Sequence, residues 1–122
     1  MKEMVYLTKK VHFSASHTLK SGSLHGHNYV LEVTIQGEPA KTTGSFFGFE
    51  RLEETIGEKI LAHVHSKHLD GKSPFLSGED PTAENLVKIF WKNLEPALPK
   101  GALYEIKLQK AESETVSYRG EV

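Results

Sequence analysis

The chain has 122 residues, 38% of them hydrophobic, which suffices for one compact domain over residues 1–122 and gives no ground for dividing it. Fifteen Lys and Arg against sixteen Asp and Glu leave a formal charge of -1, so there is no basic field to gather nucleic acid or an acidic membrane surface. The absence of cysteine excludes disulfides, thiolate metal ligands and a cysteine nucleophile, so a transition-metal site would have to be built from histidine and carboxylate.

The first residues, Met1-Lys2-Glu3-Met4-Val5, pass from charge straight into an alternating pattern. No apolar run there is long enough for a signal peptide or a membrane span, so a cytoplasmic location is expected. From Val5 the odd positions Val5, Leu7, Lys9, Val11, Phe13, Ala15 and His17 form a mainly apolar face, while Tyr6, Thr8, Lys10, His12, Ser14 and Ser16 form the other. That period of two predicts a strand. After a short loop over 18–24 the pattern resumes with His25, His27, Tyr29, Leu31, Val33 and Ile35 on a common face, until Gly37 and Pro39 stop it. The two segments predict an antiparallel hairpin.

Over 49–64 the apolar residues Phe49, Leu52, Ile56, Ile60 and Val64 recur at helical spacing, with Glu50, Glu53, Glu54, Glu58 and Lys59 for the wet side. Gly57 is the weak point of this helix, since an internal glycine costs about 1 kcal/mol relative to alanine. Asp80-Pro81-Thr82 opens a second helix, with Asp80 or Thr82 as its cap and Ala83, Leu86, Val87, Phe90, Trp91 and Leu94 as its apolar stripe ahead of Pro96. Tyr104, Ile106 and Leu108 then alternate with Glu105, Lys107 and Gln109, and residues 115–119 alternate again after the polar turn Glu112-Ser113-Glu114. The order ββααββ predicts an α+β domain, a four-stranded antiparallel sheet with two helices on one face. Its edge strands carry unpaired backbone groups, which favours association with further subunits.

Strand alternation projects His25 and His27 from one face, and the hairpin brings the end of the first strand, with His17, beside them. Three imidazoles converging on one spot suit a zinc ion held at about 2.0–2.1 Å, with the fourth tetrahedral position left for water or substrate. A lone strand histidine would be read as an ordinary residue; three on one sheet face around one hairpin are read as a metal site. His12 falls on the opposite face, at the surface. His63, His65 and His68 cluster at the end of the first helix, where a cation also favours the helix dipole.

These residues carry a family resemblance. Phe13-Ser14-Ala15-Ser16-His17 and Leu24-His25-Gly26-His27-Asn28-Tyr29 resemble the two zinc-ligand motifs of the 6-pyruvoyl- and 6-carboxy-tetrahydropterin synthases, and Pro81-Thr82-Ala83-Glu84-Asn85 and Tyr118-Arg119-Gly120-Glu121 are similar to the same family. The resemblance implies the tunnel fold, in which trimers pair their sheet edges into a barrel and stack as a hexamer. It implies zinc as cofactor, a reduced pterin triphosphate as substrate, and a lyase reaction in which a thiolate and a histidine-aspartate pair move protons.

Three positions depart from that pattern. The family cysteine falls on Ser21, whose hydroxyl is far less acidic than a thiol of pKa about 8.5. The aspartate and histidine of the relay fall on His65 and Ser66, so acid-base work passes to His65 or His68, the residue type suited to it. The pterin-anchoring glutamate falls on Lys110, with Glu112 two residues on, where a bulge or register slip would bring a carboxylate to the same face. Thr82 matches a pterin-contacting position and equally suits a helix cap; Glu84 equally suits the first turn of a helix. Two other readings stand beside this one: a catalytically altered or inactive zinc-binding homologue with a different, anionic ligand, and a three-histidine hydrolase using a metal-bound water.

Overall fold

The computed structural model describes residues 3–121. Strands β1 (Val5–Thr18) and β2 (Leu24–Gly37) pair antiparallel throughout, with Val5 opposite Gly37 and Thr18 opposite Leu24. The alternation fixes that register: Val11, Phe13 and Ala15 of β1 and Tyr29, Leu31, Val33 and Ile35 of β2 are all buried on one face. A slip of one residue would turn this whole set to solvent, at about 1.5–3 kcal/mol for each large apolar side chain exposed.

The first helix begins as α1 (Phe49–Ile56), widens into a π turn (Gly57–Leu61) and closes as the single turn α2 (Ala62–Val64). The widening follows from the sequence. Leu52, Ile56, Ile60 and Val64 are spaced by four and all fully buried, whereas an α-helix rotates about 40° too far for each four-residue step. A π turn takes up the excess and keeps the four side chains in line.

Ser66 then adopts a left-handed conformation (φ 58°), and its N–H donates to the Ser14 carbonyl at 2.6 Å. That turn delivers β3 (Lys67–Leu69) parallel to β1, Ala15 opposite Lys67 and His17 opposite Leu69. The sheet therefore has five strands in the order β3-β1-β2-β4-β5, rather than the four expected. Three residues with only Leu69 buried are too few for a periodic signal.

Helix α3 (Ala83–Leu94) starts at Thr82, whose Oγ1 accepts from the Asn85 N–H at 3.2 Å. Asp80 is not the cap: its Oδ1 accepts from the Lys20 N–H at 2.9 Å and ties the β1–β2 loop to the helix approach. β4 (Leu103–Ala111) and β5 (Glu114–Tyr118) complete the sheet, with α3 packed on both. Beyond β5, Gly120 sits at φ 77° under the Trp91 ring, and a Cβ there would run into that ring. No helix among the described residues is long and apolar enough to cross a membrane.

Candidate metal and substrate site

The hairpin register puts His17 directly opposite His25, and Ala15 opposite His27. All three histidines share the face that carries the core, at the end of the sheet where the core runs out. Their ring centroids stand 5.4 Å (His17–His25), 5.1 Å (His17–His27) and 6.0 Å (His25–His27) apart. Imidazoles bound to one tetrahedral ion have centroids about 5 Å apart, given metal–nitrogen distances of about 2.0–2.1 Å. Among the described residues no three His, Asp or Glu side chains are already drawn into a coordinating group. The His25 ring has the distance to make up, and it is exposed and free to turn.

His17 is the fixed member. It is 6% exposed, the only buried polar residue among those described, and its Nδ1 lies 3.3 Å from the Tyr29 hydroxyl. Tyr29 is itself 1% exposed and stacked on Phe13, ring centroids 4.7 Å apart. Burial pushes the Tyr29 phenol up to about 12, so it stays protonated. A hydrogen-bond partner on Nδ1 fixes ring orientation and leaves Nε2 for a metal, the usual arrangement behind a ligating histidine.

Burial, reinforced by the charges of His27, His25 and Lys110, holds His17 below the ordinary imidazole value of 6.5. Burial and then Lys110 do the same for His27. Both rings are therefore neutral at pH 7 and available as ligands. The same shifts set a pH dependence. In metal-free protein the unfolded chain protonates these imidazoles at a higher pH than the folded chain, so the unfolded state binds more protons and stability falls with acidification. The thermal midpoint of metal-free protein is expected to fall as pH drops from 6.5 towards the lowered values, and a His17→Asn variant to flatten that slope in scanning calorimetry.

The chain matches the model of the 6-pyruvoyl tetrahydropterin synthase family over residues 6–121. It belongs to that family. It is 38% identical to the 6-pyruvoyl tetrahydrobiopterin synthase of Dictyostelium discoideum, over 99% of this chain and 100% of that one. It is 32% identical to the Homo sapiens protein of the same name, over 94% of this chain and 91% of that one. The structure of Caenorhabditis elegans 6-pyruvoyl tetrahydropterin synthase superposes with a TM-score of 0.86 over 98% of both chains at 23% identity, and so shares the tunnel fold.

Within this family frame the remaining candidates separate. His68 approaches the histidine cluster: it lines a cleft of about 560 Å³ together with His27, Ser14, Ser16 and Asn28, and its charge helps lower His17. Its Nδ1 lies 2.8 Å from Ser16 Oγ and its Nε2 2.9 Å from Thr18 Oγ1, so each ring nitrogen has a hydroxyl partner. His65 does not join them. Its Nδ1 accepts from the Ser14 N–H at 3.3 Å, in a separate cavity with His12 and Phe13. Ser21 is exposed in the hairpin loop with only a 3.4 Å contact from its Oγ to Ser23 Oγ. Thr82 is occupied as the α3 cap, and Glu84 is exposed in the first turn of that helix.

At the other rim, β4 bulges between Gln109 and Ala111. Leu108 pairs with Val116 on the core face, and two residues on, Lys110 continues that face towards His27. Glu112 lies in the turn and its backbone carbonyl accepts from Gln109 Nε2 at 3.2 Å. The carboxylate whose charge is felt at the histidines is Glu114, which opposes the lowering of His27. Sequence reasoning missed Glu114 and Tyr29 as site residues. Both carried a signal: each falls in the core-facing alternation of its strand, Glu114 with Val116 and Tyr118, Tyr29 with His27 and Leu31.

Proposed function

We propose that this protein is a zinc-dependent pterin synthase of the lyase type, acting on dihydroneopterin triphosphate or a closely related reduced pterin. The observation that carries the reading is the buried, hydrogen-bonded His17 meeting His25 and His27 on the core face, in a chain that matches the synthase family over residues 6–121. Three imidazoles with no thiolate are a donor set suited to zinc, held by His17, His25 and His27. Zinc bound there would supply Lewis-acid polarisation of the hydroxyl groups on the pterin side chain.

The chain's own groups do the rest. Tyr29 keeps the His17 ring in place through Nδ1. His68, between two hydroxyls, can take a proton from one of them at one ring nitrogen and give one from the other nitrogen to the second hydroxyl, which passes its own proton on; this is the relay left once the family cysteine is replaced by Ser21. The open edges of β3 and β5 offer unpaired backbone groups for trimer formation and a stacked hexamer.

The test is incubation of zinc-loaded protein with dihydroneopterin triphosphate, following pterin products by mass spectrometry. Zinc-dependent product from a particle with the mass of a trimer or hexamer by light scattering is expected. Absence of product from zinc-loaded, assembled protein would remove the lyase reading. A second reading, a non-catalytic zinc-binding homologue taking an anionic ligand, is favoured by two features: the Lys110 charge acts on His17 and His27, and the Ser21 hydroxyl has only Ser23 Oγ, at 3.4 Å, beside it. Tight pterin or anion binding without turnover would support it.

A further inference from the structure

The bulge in β4 has a chemical consequence at the rim of the histidine site. It places two residues, Lys110 and Ala111, opposite the single residue Glu114. Lys110 continues the core face of Ile106 and Leu108, and Glu114 continues that of Val116 and Tyr118. A cation and a carboxylate thus stand on neighbouring strands, on one face, at the end of the sheet that carries the histidines. The described ion pairs are Lys9–Glu53 and those of Glu105 with Lys107 and Arg119, and none of them joins Lys110 to Glu114. The charges of both act on His27, in opposite directions.

We propose that Lys110 and Glu114 form the pair that reads the ligand's heterocycle, Glu114 accepting from adjacent amino and ring N–H groups and Lys110 donating to the neighbouring carbonyl. This rests on the pterin reading above and deepens it. The pyrimidinone edge of a pterin presents that order of groups: a 2-amino group and a ring N–H, then a 4-carbonyl. A carboxylate takes the two donors as it would take a guanidinium, in a paired, charge-assisted bond. The carboxylate comes from β5 rather than from the β4 position the family resemblance implies, and the cation at that β4 position takes the carbonyl instead of repelling the edge. Glu112 has no part in it.

The probes are neopterin and its lumazine analogue, in which a carbonyl replaces the 2-amino group, titrated into zinc-loaded full-length protein by fluorescence. The native protein should bind neopterin about 10–100-fold more tightly than the analogue, because the analogue's 2-carbonyl offers the carboxylate no donor and sets an acceptor against it. Glu114→Gln should lose at least about tenfold in neopterin affinity and narrow the gap between the probes. Glu112→Gln should keep both the affinity and the gap. Lys110→Met should weaken both probes alike, since both carry the 4-carbonyl. Tight neopterin binding that Glu114→Gln leaves intact, or that Glu112→Gln impairs, overturns this assignment while the pterin reading survives. Failure of the native protein to bind neopterin at all overturns both.

Discussion

On the proposed zinc reading, a His27→Ala variant is expected to lose zinc and synthase turnover together while keeping its fold. The ring is only half-buried at the end of the sheet, so its removal opens no core cavity, unlike loss of the buried His17. Zinc sites are worth about 10–16 kcal/mol over four ligands, which assigns about 3 kcal/mol, or roughly 10²-fold in affinity, to each. Two imidazoles then remain where three were, and a competing chelator should strip the variant at concentrations that leave the native protein loaded. The check is metal content after dialysis against graded chelator, read beside turnover and circular dichroism. A His27→Ala protein that holds zinc as tightly as the native chain would exclude His27 as a ligand and with it the three-histidine site. His12→Ala, on the opposite face of β1, is the matched control and should change none of these readings.

How much of this was legible in the sequence depends on the length of the pattern that carries each feature. β1 and β2 are fourteen residues each with an alternation that only Lys9 interrupts, so their pairing, their buried face and the meeting of His17, His25 and His27 are all legible in the sequence. The buried stripe of α3 and its Thr82 cap were legible for the same reason, although Asp80 stood as an equal candidate. β3 was not legible, because three residues cannot display a period and its pairing depends on the left-handed turn at Ser66. The π turn left a trace, the repeated four-residue spacing from Leu52 to Val64, that looks like an ordinary helix until its phase is followed. At the site, the weakness of sequence reasoning was in contacts across strands. The β4 bulge was raised as an option, but the residue it serves is set by the pairing of Ala111 with Glu114, which is a property of two strands together. The hydroxyl partners of His68 come from β1, fifty residues away or more in sequence.

Phe13 joins the core to the three-histidine cluster, and a Phe13→Ala variant is expected to damage both. Phe13 is 2% exposed, lies parallel to the Tyr29 ring at 4.7 Å and meets the Phe90 ring edge-on at 6.1 Å. Deleting a buried phenylalanine costs about 3–5 kcal/mol through lost transfer energy and the cavity left behind. For a chain of this length each kcal/mol lowers the thermal midpoint by about 4 °C, so a drop of about 12–20 °C is expected in the metal-free protein. The consequence for the site follows from the next contact. Tyr29 loses the surface that holds its ring, and its hydroxyl is what positions His17. A partner behind a metal ligand is worth about 10–100-fold in metal affinity, so zinc binding should weaken by that order even where the variant remains folded. Tyr29→Phe separates the two effects: it keeps the stack on Phe13, removes only the hydroxyl, and should lower zinc affinity with about 1 kcal/mol of stability lost. Equal zinc affinity in native, Phe13→Ala and Tyr29→Phe proteins would show that His17 is held by the backbone of β1 alone, and that the stacked rings beneath it serve stability only.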